Sequence, residues 1–306
     1  MPTRRQFVQY SALLGAAASW GSLMSPLAFA AQPLLQRKIP ASGELLPAIG
    51  LGTSQTFNVD PASADMAPLR DVLRAFVEGG ASVIDTAPSY GRAEQVTGDL
   101  VSQAGVRERV FLATKVSSTG REAGMRQIEA SFKALQTDKI DLIQVHNLQD
   151  TRTQLALLRE LKAQGRIRYI GVTHYVESAH DELLAVLKKE PVDFVQVNYS
   201  IGARNAERTL LPYCAEHGIA TLINRTFEAG RLFAKVKGRA LPEWAAAELD
   251  ASSWAQLMLK FVLANPAVTT VIPATSQPRY VLDNLLAGQG RLPDARQLQR
   301  IAAEFT

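Results

Sequence analysis

Four polar side chains stand where apolar runs of the sequence end. Asp85 closes the run Val-Ile-Asp, Lys115 closes Phe-Leu-Ala-Thr-Lys, and His146 closes Leu-Ile-Gln-Val-His. Tyr90 follows Asp85 after a short segment that contains Pro and Ser. A carboxylate, a phenol, an ammonium and an imidazole can together hold, orient and transfer a proton. Asp85, Tyr90, Lys115 and His146 are therefore the candidate catalytic residues.

This set of side chains suits the reduction of a carbonyl group, which adds a hydride to the carbonyl carbon and a proton to its oxygen. A tyrosine hydroxyl is a weak acid unless a nearby cation stabilises its phenolate. Lys115 would supply that cation, and Asp85 would hold its ammonium. A neutral His146 would donate a hydrogen bond that orients the substrate oxygen. We therefore predict that Tyr90 is the proton donor.

The elements that position these residues form a repeating pattern of short strands and longer helices. Strands are predicted at 48–52, 82–85, 110–115, 140–146, 167–173, 194–198, 219–224 and 268–273. Amphipathic helices are predicted between them, at 69–78, 123–135, 154–163, 179–188, 207–216 and 254–264. The strands are nearly continuous apolar runs, which is typical of parallel strands covered by helices. Eight of them predict a single (β/α)8 TIM barrel, whose active site lies at the C-terminal ends of the strands.

The barrel is expected to occupy residues 31–306 as one domain. Segment 35–47 contains the turn-forming pair Ser42-Gly43 and predicts a small N-terminal hairpin that closes the barrel bottom. The chain has 306 residues, of which 47% are hydrophobic, so it can bury a sizeable core.

Composition excludes several classes of function. The formal net charge of +4 is small and is not gathered into a basic stripe, which argues against a nucleic-acid-binding protein. Cys214 is the single cysteine, so an intramolecular disulfide is impossible. His180 and His217 have no second ligand at metal-binding spacing, so we expect no metal site and place both histidines at the surface.

Three segments of the sequence resemble the aldo-keto reductase family. They are Gly-Ala-Ser-Val-Ile-Asp-Thr-Ala-Pro-Ser-Tyr-Gly-Arg-Ala-Glu (80–94), Phe-Leu-Ala-Thr-Lys-Val (111–116) and Asp-Leu-Ile-Gln-Val-His-Asn (141–147). The resemblance runs from about residue 43 to residue 287 in the order of the family. It implies that Asp85, Tyr90, Lys115 and His146 form a catalytic tetrad, and that the protein reduces an aldehyde or ketone with a nicotinamide cofactor.

The resemblance also implies a cofactor site. The sequence lacks the Gly-x-Gly-x-x-Gly motif of a Rossmann domain, whereas the family binds its cofactor across the mouth of the barrel without that motif. The positions that match the family's cofactor contacts after the first strands and near the C-terminus are Gly52, Thr53, Asp85, Thr173, His174, Gln196, Thr275, Ser276, Arg279 and Asn284. Pro278 suits the first turn of a helix, whose N-terminus beside Thr275 and Ser276 would attract a phosphate.

The sequence departs from the family pattern after the predicted strand at 219–224. Many members have a tyrosine there that stacks on the nicotinamide, and this chain has Asn224 instead. Arg225 follows and would lay its planar guanidinium near the nicotinamide or the pyrophosphate. The alternative is that Arg225 pairs with an acid such as Glu228.

Two further departures from the family pattern lie at positions that would contact the two ends of the cofactor. Thr173-His174 replaces the Ser-Asn that many members have after the strand at 167–173. The basic pair that many members use for the 2′-phosphate aligns with Ala274 and Tyr280, so that Arg279 alone remains nearby. We expect NADP(H) to be favoured over NAD(H), by less than is usual for the family.

The N-terminus has the features of a twin-arginine (Tat) signal peptide. Arg4 and Arg5 precede a weakly apolar stretch from Tyr10 to Leu23, and Ala28-Phe29-Ala30 resembles a cleavage site. The apolar stretch is shorter than the ~20 residues that a membrane span needs. We predict that residues 1–30 engage the Tat machinery and are removed in the periplasm, leaving no stable membrane span. A retained membrane anchor is the alternative.

Two rival functions use the same residues. The first is a dehydrogenase that works mainly in the oxidising direction. The second is a cofactor-binding sensor or partner subunit with little turnover. A tyrosine beside a lysine has no purpose in a pure binding module, and this favours an enzyme that acts on a small carbonyl substrate.

Overall fold

The apolar runs of the sequence form a parallel sheet that curls into a nearly closed barrel. The computed structural model describes residues 33–306. Within them the eight barrel strands are β3 (Leu51–Gly52), β4 (Val83–Asp85), β5 (Phe111–Val116), β6 (Ile140–His146), β7 (Ile167–Thr173), β8 (Phe194–Asn198), β9 (Ala220–Asn224) and β10 (Thr270–Val271). Each strand pairs with the next in chain order and runs parallel to it. All C-terminal strand ends therefore lie at one mouth of the barrel.

The seam between the first and last strands closes through two isolated parallel bridges, Ile49 with Val271 and Gly52 with Ala274. The backbone N–H of Gly52 donates to the carbonyl of Pro273 at 3.1 Å. A Cβ atom at Gly52 would lie 2.7 Å from the carbonyl oxygen of Ile272, closer than such atoms approach. Glycine is therefore required where the seam reaches the mouth.

Eleven α-helices follow the strands or close the chain in the described part of the molecule: α1 (Met66–Glu78), α2 (Ala93–Ala104), α3 (Arg121–Ala134), α4 (Thr151–Ala163), α5 (His180–Leu187), α6 (Leu210–His217), α7 (Arg231–Lys235), α8 (Glu243–Leu249), α9 (Trp254–Leu263), α10 (Pro278–Leu286) and α11 (Ala295–Ala303). Helix α1 shows why they pack outside the sheet. Leu69, Val72, Leu73 and Phe76 recur at helical spacing and are all buried. None of the helices between residues 33 and 306 is long and apolar enough to cross a membrane.

Side chains fill the lower half of the barrel. Phe111, Tyr169 and Phe194 meet there with ring centroids 5.5–5.9 Å apart. They belong to a buried apolar cluster that also contains Val83 and Leu142. This packed layer fills the interior of the barrel below the mouth.

The predicted (β/α)8 barrel is confirmed, and strands β6, β7 and β8 have the predicted bounds. The outermost predicted strands, 48–52 and 268–273, are shorter, because the seam pairs them through isolated bridges. Helix α2 escaped prediction because Thr97 and Gly98 weaken its helical pattern. Gly98 is nevertheless needed, since a Cβ there would lie 2.1 Å from the carbonyl oxygen of Ala134. The signal peptide predicted at residues 1–30 lies outside the described residues.

The surface position predicted for His180 is wrong. The residue is 1% exposed, and its two ring nitrogens lie 3.0 Å from Asn198 Oδ1 and 3.2 Å from Asn205 Nδ2. Both nitrogens find partners, so the imidazole can be buried without an unpaired polar atom. His217 is exposed as predicted.

A hairpin joins the bottom of the barrel, as predicted. Strands β1 (Gln36–Lys38) and β2 (Leu45–Pro47) are antiparallel. In the connection between them, Glu44 Oε2 accepts a hydrogen bond from Tyr169 Oη at 2.6 Å, the Ser42 hydroxyl lies 2.7 Å from the same Oη and can donate to it, and Glu44 pairs with Arg168. The hairpin is thus tied to the first residues of β7.

Asp141, near the start of β6, is the centre of this network at the barrel bottom. Its Oδ1 accepts a hydrogen bond from Arg168 Nη1 at 2.8 Å. Its Oδ2 accepts hydrogen bonds from the backbone N–H of Leu112 at 2.8 Å and from Arg107 Nη2 at 3.1 Å. The carboxylate is buried, so its removal would leave the N–H of Leu112 without an acceptor and would take one acceptor from each of the two guanidinium groups.

We expect Asp141→Ala to lower the free energy of unfolding by about 2–3 kcal/mol, since both arginines are partly exposed and water screens part of the loss. Denaturant unfolding followed by circular dichroism measures the change. Asp138→Ala, at an exposed aspartate just before the same strand, is the control and should change the free energy by less than about 0.5 kcal/mol. Equal losses in the two variants would contradict the role given to Asp141.

Candidate active site

A buried ion pair forms the floor of the barrel mouth. Lys115 Nζ lies 2.7 Å from Asp85 Oδ2, and the two side chains are 0% and 3% exposed. The same ammonium donates to the carbonyl oxygen of Thr86 at 2.8 Å. Burial by itself lowers the pKa of Lys115, but Asp85 and Tyr90 more than offset that effect, so the pKa is raised above the usual lysine value. Lys115 is therefore a fixed cation at neutral pH.

Hydrogen bonds from other parts of the barrel hold Asp85 in position. Its Oδ1 accepts a hydrogen bond from Gln196 Nε2, at the middle of β8, at 2.8 Å. The amide oxygen of Gln196 accepts a bond from Thr173 Oγ1, at the end of β7, at 3.3 Å. The backbone carbonyl of Asp85 accepts two bonds from Thr53, through N–H and Oγ1, each at 3.0 Å. The ion pair is thus held in place from opposite sides of the barrel.

Tyr90 lies above this pair on the loop that follows β4. Lys115 Nζ is 5.0 Å from the centroid of the Tyr90 ring. The ring meets that of His146 edge to face, with centroids 5.9 Å apart and an interplanar angle of 83°. Lys115 is completely buried, whereas Tyr90 and His146 are partly exposed to the mouth. The phenol and the imidazole are thus accessible to a substrate, with the cation beneath them.

His146 is kept neutral by its surroundings. Burial, with the positive charge of Lys115 and the neighbouring His174, lowers the pKa of His146 to about 4. Ser89 Oγ lies 3.4 Å from its Nδ1. If the serine hydroxyl donates to Nδ1, the proton of the neutral ring is on Nε2 and is available to a substrate oxygen.

These residues open into a cavity of about 640 Å³ at the mouth. The predicted site residues that line it are Gly52, Thr53, Asp85, Tyr90, His146, Thr173, Gln196 and Arg225. Residues outside the predicted catalytic and cofactor-binding sets also line it, among them Ser54, Gln55, Thr56, Ser89, Asn147, Tyr175, Phe227 and Phe233. Their signal was present, because they lie at the same C-terminal strand ends that identified the tetrad.

Other predicted cofactor residues lie beside this cavity without lining it. His174 stacks on Tyr175, with ring centroids 5.6 Å apart. Thr275 and Ser276 follow Ala274, a lining residue, and lead to Pro278 at the first position of α10, as predicted. Arg279 lies on the ring of Tyr280, 4.7 Å from its centroid, and Asn284 is buried on the same helix. Arg279 and Asn284 thus lie on α10, which begins shortly after the cavity-lining residue Ala274.

Arg225 does not form the predicted alternative pair with Glu228. Its guanidinium carbon lies 4.6 Å from the ring centroid of Tyr175. The carboxylate of Glu228 instead bonds to Ser200 Oγ at 2.6 Å and Arg231 Nη2 at 3.1 Å. Arg225 itself lies in the left-handed backbone region, with a φ of 54°. A planar cation therefore stacks on an aromatic ring at the rim of the cavity.

This arrangement can deliver one proton to a ligand oxygen. Tyr90 is the acidic hydroxyl, Lys115 is a cation that would stabilise its phenolate, and His146 is a neutral donor beside it. Between residues 33 and 306 we find no cluster of His, Cys, Asp and Glu side chains that could hold a metal ion.

Comparison with known proteins gives one family. Residues 48–303 match the model of the Aldo/keto reductase family. The aldo-keto reductase YhdN of Bacillus subtilis (strain 168) is 32% identical over 203 residues, which cover 61% of this chain and 60% of that protein. The methylglyoxal reductase YeaE of Escherichia coli (strain K12) is 32% identical over 260 residues, which cover 81% of this chain and 88% of that protein.

The fold also matches solved structures. The crystal structure of an aldo/keto reductase from Klebsiella pneumoniae, in complex with NADP and acetate, superposes with a TM-score of 0.74. The two sequences are 27% identical, and the match covers 90% of this chain and 95% of the other.

The depressed pKa of His146 predicts a stability change with pH. As the pH falls from about 6.5, the unfolded chain takes up a proton on this residue, whereas the folded protein does so only near pH 4. His146 therefore makes the wild type lose stability over this range. We expect the stability of the wild type relative to His146→Gln to fall by about 2 kcal/mol between pH 7 and pH 4.5.

Denaturant unfolding of both proteins at a series of pH values measures this difference, because the carboxyl groups that they share cancel. Parallel curves of stability against pH would show that His146 is not held neutral.

Proposed function

The chain belongs to the aldo/keto reductase family and is an NAD(P)H-dependent oxidoreductase, and we propose that it reduces an aldehyde or ketone with Tyr90 as the proton donor. The observation that carries this proposal is the buried pair of Lys115 and Asp85, whose ammonium lies 5.0 Å from the centroid of the Tyr90 ring. A buried charge pair costs desolvation energy. A module that only binds a cofactor would gain nothing from placing one beneath an accessible tyrosine.

The residues at the mouth fit a nicotinamide cofactor. Asn224 Oδ1 is buried without a hydrogen-bond partner among residues 33–306. The nitrogen of the same amide, Nδ2, lies 3.5 Å from Gln196 Oε1. A free amide oxygen beside Thr173 and Gln196 suits the carboxamide of a nicotinamide. Arg225, at the cavity rim, suits the negative charge of the pyrophosphate. These residues would hold the cofactor, which supplies the hydride when bound.

The chain's own residues handle the proton. His146 donates a hydrogen bond that orients the carbonyl oxygen, and Tyr90 then donates its proton to that oxygen as the carbon is reduced. Lys115 stabilises the resulting phenolate, and Asp85 keeps the ammonium in place. Tyr90 recovers a proton from solvent through the open mouth. The same residues would serve the reverse reaction, so the oxidising direction is an alternative that the geometry allows.

The comparisons support the choice of cofactor and the size of the substrate. The related Klebsiella pneumoniae structure contains NADP, and we propose NADP(H) as the cofactor of this chain, preferred over NAD(H). Arg279 is the remaining cation near the segment assigned to the 2′-phosphate, and it already stacks on Tyr280. The name of YeaE, a methylglyoxal reductase, supports a small carbonyl substrate.

We also propose that the enzyme works in the periplasm. The support is the sequence of residues 1–30, with its paired arginines and Ala-Phe-Ala segment. The Tat machinery transports folded proteins, so a cofactor could be bound in the cytoplasm before export. A ligand that binds only the folded state stabilises it by about 2.7 kcal/mol at a hundred-fold excess over Kd. We infer that the exported enzyme carries its nucleotide with it.

We expect Tyr90→Phe to lower kcat for methylglyoxal reduction by roughly 10²–10⁴-fold, because it removes the proton donor and keeps the ring. The Kd for NADPH, measured by fluorescence titration, should stay within about threefold of the wild type. Tyr213→Phe is the control, since that hydroxyl bonds to a backbone carbonyl on the outer helices. Activity of Tyr90→Phe within a few-fold of the wild type would refute the assignment of the donor.

Replacement of the paired arginines tests export. We expect Arg4→Lys/Arg5→Lys protein to stay in the cytoplasm with residues 1–30 attached, because the Tat machinery requires the arginine pair. Cell fractionation with intact-mass measurement gives both results. Arg70→Lys/Arg74→Lys, at exposed positions on α1, is the control and should be exported. Normal export of the first variant would refute the targeting proposal.

A further inference from the structure

One side of the cavity mouth consists of hydrogen-bonding side chains. Ser54, Gln55 and Thr56 follow β3, Ser89 follows β4, and Asn147 directly follows His146 at the end of β6. All five line the cavity that contains Tyr90 and His146. These residues come from the first four strands of the ring, which also supply the tetrad. A substrate whose carbonyl oxygen lies at Tyr90 therefore has these hydrogen-bonding groups within the same cavity.

Most of these polar groups have no hydrogen-bond partner among residues 33–306. The side chains of Ser54, Gln55 and Asn147 make no hydrogen bond to any residue of the described chain, and all three are exposed in the mouth. Thr56 Oγ1 is buried and also lacks a partner there. Among residues 33–306, the Ser89 side chain has a hydrogen-bond partner only in His146. A ligand that covers these groups must offer them hydrogen bonds, because otherwise they lose water without replacement.

The last four strands of the ring lead into loops and a helix that contribute aromatic side chains to the cavity lining. Tyr175 follows β7, and Phe227 and Phe233 follow β9, with the last two rings 4.9 Å apart. Arg225 is the only lysine or arginine among the cavity-lining residues of the described chain, and it lies on Tyr175 in this aromatic half. The polar half therefore offers five hydrogen-bonding side chains but no lysine or arginine at its surface. It suits neutral hydroxyl groups better than a carboxylate or a phosphate.

We propose that the substrate is a small hydroxylated carbonyl compound, a hydroxyaldehyde or hydroxyketone, whose hydroxyl next to the carbonyl is bound by Ser54, Gln55 and Asn147. This inference rests on the proposed carbonyl reduction. For 1-hydroxypropan-2-one, hydride adds to the carbonyl carbon from the nicotinamide cofactor and a proton adds to the oxygen from Tyr90, which gives propane-1,2-diol and oxidised cofactor. A site built around a hydroxyl discriminates strongly against an analogue that lacks it.

The test compares kcat/KM for 1-hydroxypropan-2-one and butan-2-one, which differ by a hydroxyl in place of a methyl group. The wild type should prefer the hydroxyketone. In Ser54→Ala/Gln55→Met this preference should fall about tenfold or more, since each neutral hydrogen bond contributes roughly three- to tenfold. The hydroxyl group also changes the intrinsic reactivity of the ketone. This effect is the same for the wild type and the variant, so it cancels when their preferences are compared.

Gln136→Met is the matched control. Gln136 shares the left-handed backbone of Gln55, with φ of 52° against 64°, but it bonds to Asp99 on the outer surface. The Gln136→Met variant should prefer the hydroxyketone by the same factor as the wild type. Asn147→Ala gives a second, independent measurement and should lower the preference for the hydroxyketone several-fold. Binding of NADPH shows that each variant is folded.

An unchanged preference in both Ser54→Ala/Gln55→Met and Asn147→Ala would overturn the inference, as would a wild type that prefers butan-2-one. Those results leave the proposed reductase activity intact. A wild type that turns over neither ketone nor methylglyoxal would overturn the proposed function, and this inference with it.

Discussion

The buried pair of Lys115 and Asp85 is the interaction on which the rest of the site depends. A fully buried ammonium is tolerable only when an anion and further hydrogen bonds compensate for the lost water. Asp85 and the carbonyl of Thr86 supply this compensation at 2.7 and 2.8 Å. Gln196 then holds the carboxylate, so residues from three strands have fixed positions around one charge. Tyr90 and His146 owe their electrostatic surroundings to it.

The barrel makes this pair possible because it controls where water can enter. Aromatic rings fill its lower half, and the hairpin is bonded to the bottom through Glu44, Arg168 and Asp141. The cavity at the mouth, where Tyr90 and His146 lie beside Asp85, is therefore the open approach to the ion pair. The lowered pKa of His146 has the same origin, since burial and the positive charge of Lys115 both disfavour a second cation.

The ring of strands divides the mouth into two chemical environments. The first four strands supply the tetrad and the polar groups that extend from it, such as Gln55 and Asn147. The last four supply the amides of Gln196 and Asn224 and an aromatic rim on which Arg225 stacks. A substrate that contacts Tyr90 and a cofactor that contacts Gln196 would meet at the boundary between these two environments.

The sequence by itself determined the strands, most helices and the identity of the polar residues at the strand ends, because periodicity and apolar runs are local properties of the chain. Only the tertiary structure decided which of these residues meet. Asp85 and Gln196 are 111 positions apart and bond at 2.8 Å because the barrel closes. Arg225 stacks on Tyr175 rather than pairing with Glu228, and His180 is buried between two asparagines. Such pairings depend on side-chain direction across a curved sheet, which no local pattern in the sequence specifies.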